Sequence, residues 1–88
     1  MVNDPHTISN FCVAILRQAV QDWEILCKDV RQGTPKRREY TFDSIEYFLK
    51  TRGPYLASWA DLDIRHIINR CERMKTHSEY CAKRRENH

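Results

Sequence analysis

The chain has 88 residues, enough for one hydrophobic core and too few for two, so we expect a single domain over residues 1–88. Charged residues make up 31% and hydrophobic residues 41%, with only 2 Gly and 3 Pro, a composition typical of long helices with solvated outer faces. The formal net charge of +3 is modest for a dedicated nucleic-acid-binding domain, and no apolar run approaches the ~20 residues that a membrane span needs.

The first predicted element is a long amphipathic helix at about residues 6–31. Its apolar residues recur at spacings of three and four, which is the period of one helix face. Gly33 and Pro35 predict its end, because Gly favours the position after a helix and Pro cannot continue one. The apolar stripe consists of Ile8, Phe11, Cys12, Ile15, Leu16, Ala19, Trp23, Leu26, Cys27 and Val30.

Residues 32–41 form a polar linker that carries the basic run Lys36-Arg37-Arg38 and is too long for a tight helical hairpin. Two short helices are predicted within residues 42–60, separated at Gly53-Pro54. Thr41 or Asp43 can cap the first of them, with Glu46 as the capping-box partner of Asp43.

The last helix is predicted at residues 61–84, with Asp61 or Asp63 at its start, where a carboxylate is favourable. Apolar residues follow one another there at alternating spacings of three and four, as in a heptad seam. Together the elements predict an all-α fold, an irregular three- to four-helix bundle with long first and last helices. The seam consists of Ile64, Ile67, Cys71, Met74, Ser78 and Cys81.

Two stretches resemble small proteins encoded by phages and prophages of Gram-positive bacteria. Residues 14–23 match the pattern A-I-x-x-Q-A-V-x-D-[YW], and residues 61–68 match D-[IL]-D-x-x-x-[IL]-I, with Tyr47-Phe48 as the aromatic segment between them. The resemblance covers roughly residues 8–72. It implies an all-helical fold and a phage-type origin in a bacterial host cell, and it supplies no active site.

The cysteines and histidines offer the nearest approach to a metal site. Cys71, His77 and Cys81, with Cys27 as a fourth ligand, have zinc-binding side chains. On one helix, however, Cys71 lies more than about 100° around the axis from His77, so the favoured interpretation is a core seam beside a surface histidine. We therefore predict no metal and no cofactor, with zinc at Cys71, His77 and Cys81 as the open alternative.

The cysteines and histidines also do not pair a nucleophile with a base in a catalytic arrangement. We therefore expect the protein not to be an enzyme. The N-terminal residues lack the basic and apolar segments of a signal peptide. We therefore expect free thiols in a reducing cytoplasm, that of the bacterial host cell, and no membrane association.

Basic clusters at residues 36–38 and 83–85 could contact nucleic acid, with Tyr40 or Tyr55 stacking beside them. Against this, the last helix begins with Asp61 and Asp63 and so does not present a basic recognition helix after the turn. A solvated charge run is the favoured interpretation, and nucleic-acid binding is kept as an alternative.

Trp23 and Trp59 are predicted to pack against each other in the core. Tyr47 and Tyr55 lie off the apolar stripes of their helices and are the better candidates for an interface. The predicted partner-binding set is Lys36, Arg37, Arg38, Tyr47, Arg52 and Tyr55, which a bundle would present at one end of the fold.

The sequence therefore predicts a small non-enzymatic, phage-type protein that binds a host protein and modulates or inhibits it. A bacterial defence enzyme or a nucleic-acid-processing enzyme is an example of such a partner. Two alternatives remain: a nucleic-acid-binding protein, and a structural homodimer whose last helices pair through Ile64, Ile67, Cys71 and Met74.

Overall fold

The computed structural model describes residues 5–33 and 36–86, and it describes side chains within residues 7–33 and 36–84. Four helices are present in this part of the chain: α1 at Pro5–Gln32, α2 at Phe42–Thr51, α3 at Gly53–Trp59 and α4 at Ile64–Glu86. The predicted all-α fold with long first and last helices is confirmed.

The predicted stop after α1 is confirmed by its geometry. Gly33 has a φ of +66°, in the left-handed region where a residue without Cβ is favoured, and its amide donates to the carbonyl of Val30 at 3.1 Å. Pro35, the other residue predicted to end the helix, lies outside the described residues.

The capping box of α2 uses Thr41 and Ser44, so the predicted pairing of Asp43 with Glu46 is wrong. The Ser44 amide donates to the Thr41 hydroxyl at 3.1 Å, and the Thr41 amide donates to the Ser44 hydroxyl at 2.8 Å. Glu46 instead accepts a 2.6 Å hydrogen bond from Lys50, one turn further along the helix. The shorter serine satisfies the cap, which leaves Glu46 available for this (i, i+4) ion pair.

Helices α2 and α3 form one segment, which we call the α2–α3 segment, with only Arg52 between them. Arg52 keeps helical dihedrals between them, donating to Phe48 at 2.8 Å and accepting from Leu56 at 3.2 Å. Gly53 and Pro54 follow directly, and Pro54 occupies the first turn of α3, where its missing N–H costs nothing.

The corner between α3 and α4 separates the roles of two aspartates. Asp61 has a φ of +55° and ends α3, with the next amide, that of Leu62, donating back to Ala57 at 2.8 Å. Asp63 caps α4 instead, because its Oδ1 accepts from the Arg65 amide at 3.0 Å. The last helix therefore begins at Ile64 and not at residue 61.

Contacts between the helices give their directions. The Trp23 indole donates to the Cys71 carbonyl at 2.6 Å, and the Cys27 thiol lies beside Ser78. The later residue of α1 thus contacts the later residue of α4, so the two helices run parallel. Helix α2 runs against both, and the bundle is elongated, with extents of 57 × 24 × 18 Å.

The core corrects the predicted packing of the two tryptophans. Trp23 is buried and packs edge-to-face on Phe42, with ring centroids 4.6 Å apart, whereas Trp59 is 64% exposed. The other buried members of the core cluster are small or aliphatic: Leu16, Ala19, Cys27, Ile45, Leu49, Ala57 and Cys71.

Candidate binding surfaces

The predicted partner-binding residues do not lie together at one end of the fold. The linker lies beside the C-terminal part of α1, where Arg38 contacts Asp29. Arg52 and Tyr55 lie at the other end of α2, where neighbouring Gly53 approaches Ile64 at the start of α4. Ten helical residues separate the two groups, about 15 Å at 1.5 Å per residue, and this corrects the prediction.

One member of the basic run is held by the protein itself. The Arg38 guanidinium donates to both carboxylate oxygens of Asp29, at 3.1 and 3.2 Å, and Asp29 is nearly buried. These hydrogen bonds lower the pKa of the Asp29 carboxyl, and the charges of Arg38, Lys36 and Lys28 lower it further. All three residues of the run are exposed, but the Arg38 charge is already paired with Asp29 within the protein.

The α2–α3 segment carries two opposite rows of side chains, each advancing by four residues. The buried row is Ile45, Leu49, Gly53 and Ala57, and it faces the core. The exposed row is Tyr47, Thr51, Tyr55 and Trp59, which we call the aromatic row; it is offset by two residues, or about 200° of helix. Its three aromatic side chains are 72%, 72% and 64% exposed.

Trp59 is the member of the aromatic row that the sequence prediction missed. The signal that could have found it lies in the small residues of α3, because Gly53, Ala57 and Ala60 share one face and are all buried. Small side chains let a helix approach its neighbour closely, and this leaves Tyr55 and Trp59, one turn apart, on the outside.

The side chains around the aromatic row are polar, and they largely form hydrogen bonds and ion pairs within the protein. The Thr51 hydroxyl donates to the Tyr47 carbonyl at 2.7 Å, so this row member adds no free donor. Lys50 and Glu46 pair with each other beside the row, and this hydrogen bond lowers the pKa of the Glu46 carboxyl. An uncharged aromatic strip with a polar margin has the arrangement of an interface core and rim.

Among the described residues no three His, Cys, Asp or Glu side chains are arranged to hold a metal ion. His77 and Cys81 do lie together, with Nε2 and Sγ 3.6 Å apart. Cys71 is buried in the core at a different level of α4, six residues before His77, and desolvation there raises the pKa of its thiol to about 11. A zinc ligand must be a thiolate, so this environment disfavours Cys71 as a ligand.

The seam of α4 is occupied within the chain. Cys71 is buried, and Ile64, Ile67 and Met74 pack against the core cluster. A homodimer that paired these four side chains would have to draw Cys71 out of its own core, whereas Ile64, Ile67 and Met74 are only partly buried. The homodimer alternative stays a prediction.

The two basic clusters lie at the same end of the bundle. Lys83 and Arg84 follow Ser78 on α4, and Ser78 is beside Cys27 near the end of α1, where the linker begins. Arg85 lies in α4, and its side chain is outside the described residues.

A shallow groove between α1 and α2 is apolar, with a volume of about 320 Å³. Ile15, Ala19, Ile45 and Phe48 form its walls, and Asp22 accepts a 2.9 Å hydrogen bond from Gln18 at its rim. These side chains offer mainly apolar contact, and the Ser44 hydroxyl, which also lines the groove, is engaged in the capping box of α2.

Comparisons with protein-family models, with curated proteins and with solved structures gave no match. The resemblance to phage-encoded proteins therefore stays a prediction. Within the described part of the chain, no helix has both the length and the apolar character needed to cross a membrane.

Proposed function

We propose that this is a non-enzymatic binding protein whose partner is another protein, with the aromatic row as its docking surface. The observation that carries the proposal is the exposure of Tyr47, Tyr55 and Trp59 along one side of the α2–α3 segment. At roughly 200 Å² per aromatic side chain, these exposures amount to a strip on the order of 400 Å². Apolar patches of this size on small proteins commonly mark interaction sites.

Tyr and Trp are the residues that most often contribute strongly to protein–protein binding, and Arg52 lies beside the row. Their rings are presented from helices held by the buried row beneath them, so little conformational entropy is lost when a partner binds. The resemblance to phage-encoded proteins is the reason for expecting a protein of the bacterial host as the partner. Modulation or inhibition would then follow from covering a surface that the host protein needs.

The test compares two double variants that each remove two exposed aromatic side chains. Tyr55→Ala/Trp59→Ala removes half of the aromatic row, and Phe11→Ala/Tyr80→Ala removes side chains that are 65% and 61% exposed elsewhere on the molecule. Both variants should keep the helical circular-dichroism spectrum of the parent. Each protein is immobilised, bacterial lysate is passed over it, and captured proteins are quantified by mass spectrometry.

The purified partner is then titrated against all three proteins. Truncating a strong interface residue costs about 2 kcal/mol or more, so the row variant should bind at least about 100-fold more weakly. The control variant should bind within about threefold of the parent. Equal affinity of both variants would show that the partner docks elsewhere.

A further inference from the structure

Two metal-ligating side chains lie side by side on α4, away from the aromatic row. His77 and Cys81 are one helical turn apart, and Nε2 of His77 is 3.6 Å from Sγ of Cys81. His77 is exposed and Cys81 is half-buried, so a small ion in solvent can reach both atoms. We call these two residues the His77–Cys81 pair.

The separation of these two atoms matches the edge of a tetrahedral zinc site. Zinc binds an imidazole nitrogen at about 2.0–2.1 Å and a thiolate sulfur at about 2.3 Å, and at the tetrahedral angle these lengths place the nitrogen and the sulfur about 3.6 Å apart. The same separation lets the Cys81 thiol donate a weak hydrogen bond to the imidazole, which keeps the two side chains together. Zinc can therefore replace the shared proton without a large rearrangement.

The pair supplies only two of the four ligands that a closed zinc site needs. Among the described residues no three His, Cys, Asp or Glu side chains are arranged around one point, and Cys71 is buried in the core. A second copy of the chain offers the same two ligands. A twofold axis through the metal would bring the two pairs together, because such an interface uses the same surface of both copies.

The charges around the pair favour a completed centre over a half-filled one. Arg73 and Arg84 lie within about one turn of the pair along α4, and both are exposed. Glu24 and Arg31 of α1 border the same small cavity as the imidazole of the pair, and their charges offset each other. Zn²⁺ with one thiolate keeps a net positive charge, which is unfavourable beside the arginines of α4, whereas Zn²⁺ with two thiolates is neutral.

We propose that the His77–Cys81 pair binds zinc between two copies of the protein and so forms a Cys₂His₂ centre in a homodimer. In each copy the Cys81 S–H bond breaks and its proton goes to solvent, while Sγ and Nε2 each form a bond to the metal. Tyr80, which is 61% exposed and precedes Cys81, is placed to add apolar contact at this interface.

The proposal departs from the sequence-based expectation of no metal. It uses two of the three residues of the zinc alternative and leaves Cys71 in the core. The site lies on a different helix from the aromatic row, so the inference does not depend on the proposed protein partner.

The test titrates the whole 88-residue chain with Co²⁺, in the presence of a phosphine reductant that prevents disulfide formation. Tetrahedral Co²⁺ with thiolate ligands gives visible absorption bands and a near-ultraviolet sulfur-to-metal band. These bands should saturate at about one metal ion per two chains, and added Zn²⁺ should remove them by displacing Co²⁺. Sedimentation velocity of the zinc-loaded protein should show a dimer that EDTA returns to monomers.

His77→Ala and Cys81→Ser should each weaken Co²⁺ binding by about 100-fold or more, because even residues that only support a metal ligand contribute roughly 10–100-fold. Both variants should stay monomeric with Zn²⁺. The matched control, His66→Ala, removes another exposed histidine of α4 and should bind the metal and dimerise like the parent. The helical circular-dichroism spectrum of each variant shows that it is folded.

Three outcomes would overturn the proposal. The first is a Co²⁺ titration without the sulfur-to-metal band, and the second is metal binding by a chain that stays monomeric. The third is binding by His77→Ala or Cys81→Ser as tight as that of the parent. Tyr55→Ala/Trp59→Ala should bind Co²⁺ like the parent, so failure here is distinguishable from failure of the proposed protein interaction.

Discussion

The two tryptophans show how differently one residue type is used in this protein. Trp23 fills the centre of the core, packs on Phe42 and donates its indole hydrogen to the Cys71 carbonyl. Trp59 is mostly exposed and makes no ring contact with Trp23 among the described residues. The first contributes to stability, and the second is free to contribute to binding.

Trp23→Ala should therefore lower the free energy of unfolding by on the order of 3–5 kcal/mol, as other buried aromatic truncations do. Trp59→Ala should change it by no more than about 0.5 kcal/mol, because exposed substitutions rarely do more. Urea unfolding followed by circular dichroism measures both. A loss in the Trp59 variant as large as in the Trp23 variant would place Trp59 in the core after all.

The four cysteines also differ in how far their side chains are buried. Burial raises the pKa of Cys71 to about 11 and also raises that of Cys27, where the nearby Ser78 opposes the shift. Cys12 is buried as well, whereas Cys81 is only half-buried. The thiolate is the reactive form, so burial both shields the Cys27 and Cys71 thiols and keeps them protonated, and it shields the Cys12 thiol.

In the native protein at pH 8, a disulfide reagent such as Ellman's should modify one thiol rapidly. The other three should react at least about 100-fold more slowly, because they await local or global unfolding. Cys81→Ser should abolish the rapid phase. Rapid reaction of a second thiol in the parent would contradict the burial described for Cys12, Cys27 or Cys71, and rapid reaction of three would contradict it for Cys27 or Cys71.

At the scale of the helices, the start of α3 packs closely against the start of α4 at Gly53. A Cβ at this position would lie 2.6 Å from Cδ1 and 3.1 Å from Cγ1 of Ile64. The absence of a side chain thus lets the start of α3 approach the start of α4. Gly53 belongs to the buried row, on the side of the segment away from the aromatic row.

Gly53→Ala should destabilise the protein by about 1–3 kcal/mol through overpacking, partly offset by about 0.5–1 kcal/mol of helix propensity. Ile64→Val removes Cδ1, the atom nearest to the added methyl group. The cost of Gly53→Ala should therefore fall by about 0.5 kcal/mol or more in the Ile64→Val background. Thermal or urea unfolding of the four proteins of this cycle measures the coupling, and equal costs in both backgrounds would refute the contact.

At the scale of the whole molecule, the Asp29–Arg38 ion pair ties the linker to α1 and so sets the path of the chain into α2. It also removes one cation from the basic run and leaves Lys36 and Arg37 exposed. The sequence suggests a free basic loop, but in the structure this linker is partly held against α1.

Because the hydrogen bonds from Arg38 lower the pKa of Asp29 in the folded protein, the pair stabilises the fold above the unfolded carboxyl pKa of about 3.9. That contribution is lost as the pH falls through the folded-state value. Asp29→Asn should lower the melting temperature at pH 7 and match the parent more closely at pH 2.5. Asp22→Asn, a control without an ion pair among the described residues, should show no such convergence; a pH-independent deficit in Asp29→Asn would exclude the linkage.

The sequence by itself determined the helices of this protein, and with them its fold class. Apolar spacing, the Gly33 stop, the Gly53-Pro54 break and the acidic start of α4 act within a few residues, so they can be found without knowing which helices are neighbours. The exposure of Tyr47 and Tyr55 was predictable in the same way, because each lies off its stripe.

Only the tertiary structure decided which faces meet. Helical spacing identifies residues that share a face, but it does not identify the neighbour that the face packs against. The short helix α3 has small residues on one face and aromatic residues on the other, and the sequence alone does not say which face is buried. In the structure α3 lies close to α1 and α4, so the face with the small residues is the buried one. The antiparallel course of α2 likewise separated the linker from Arg52 and Tyr55, because direction depends on packing between elements distant in sequence.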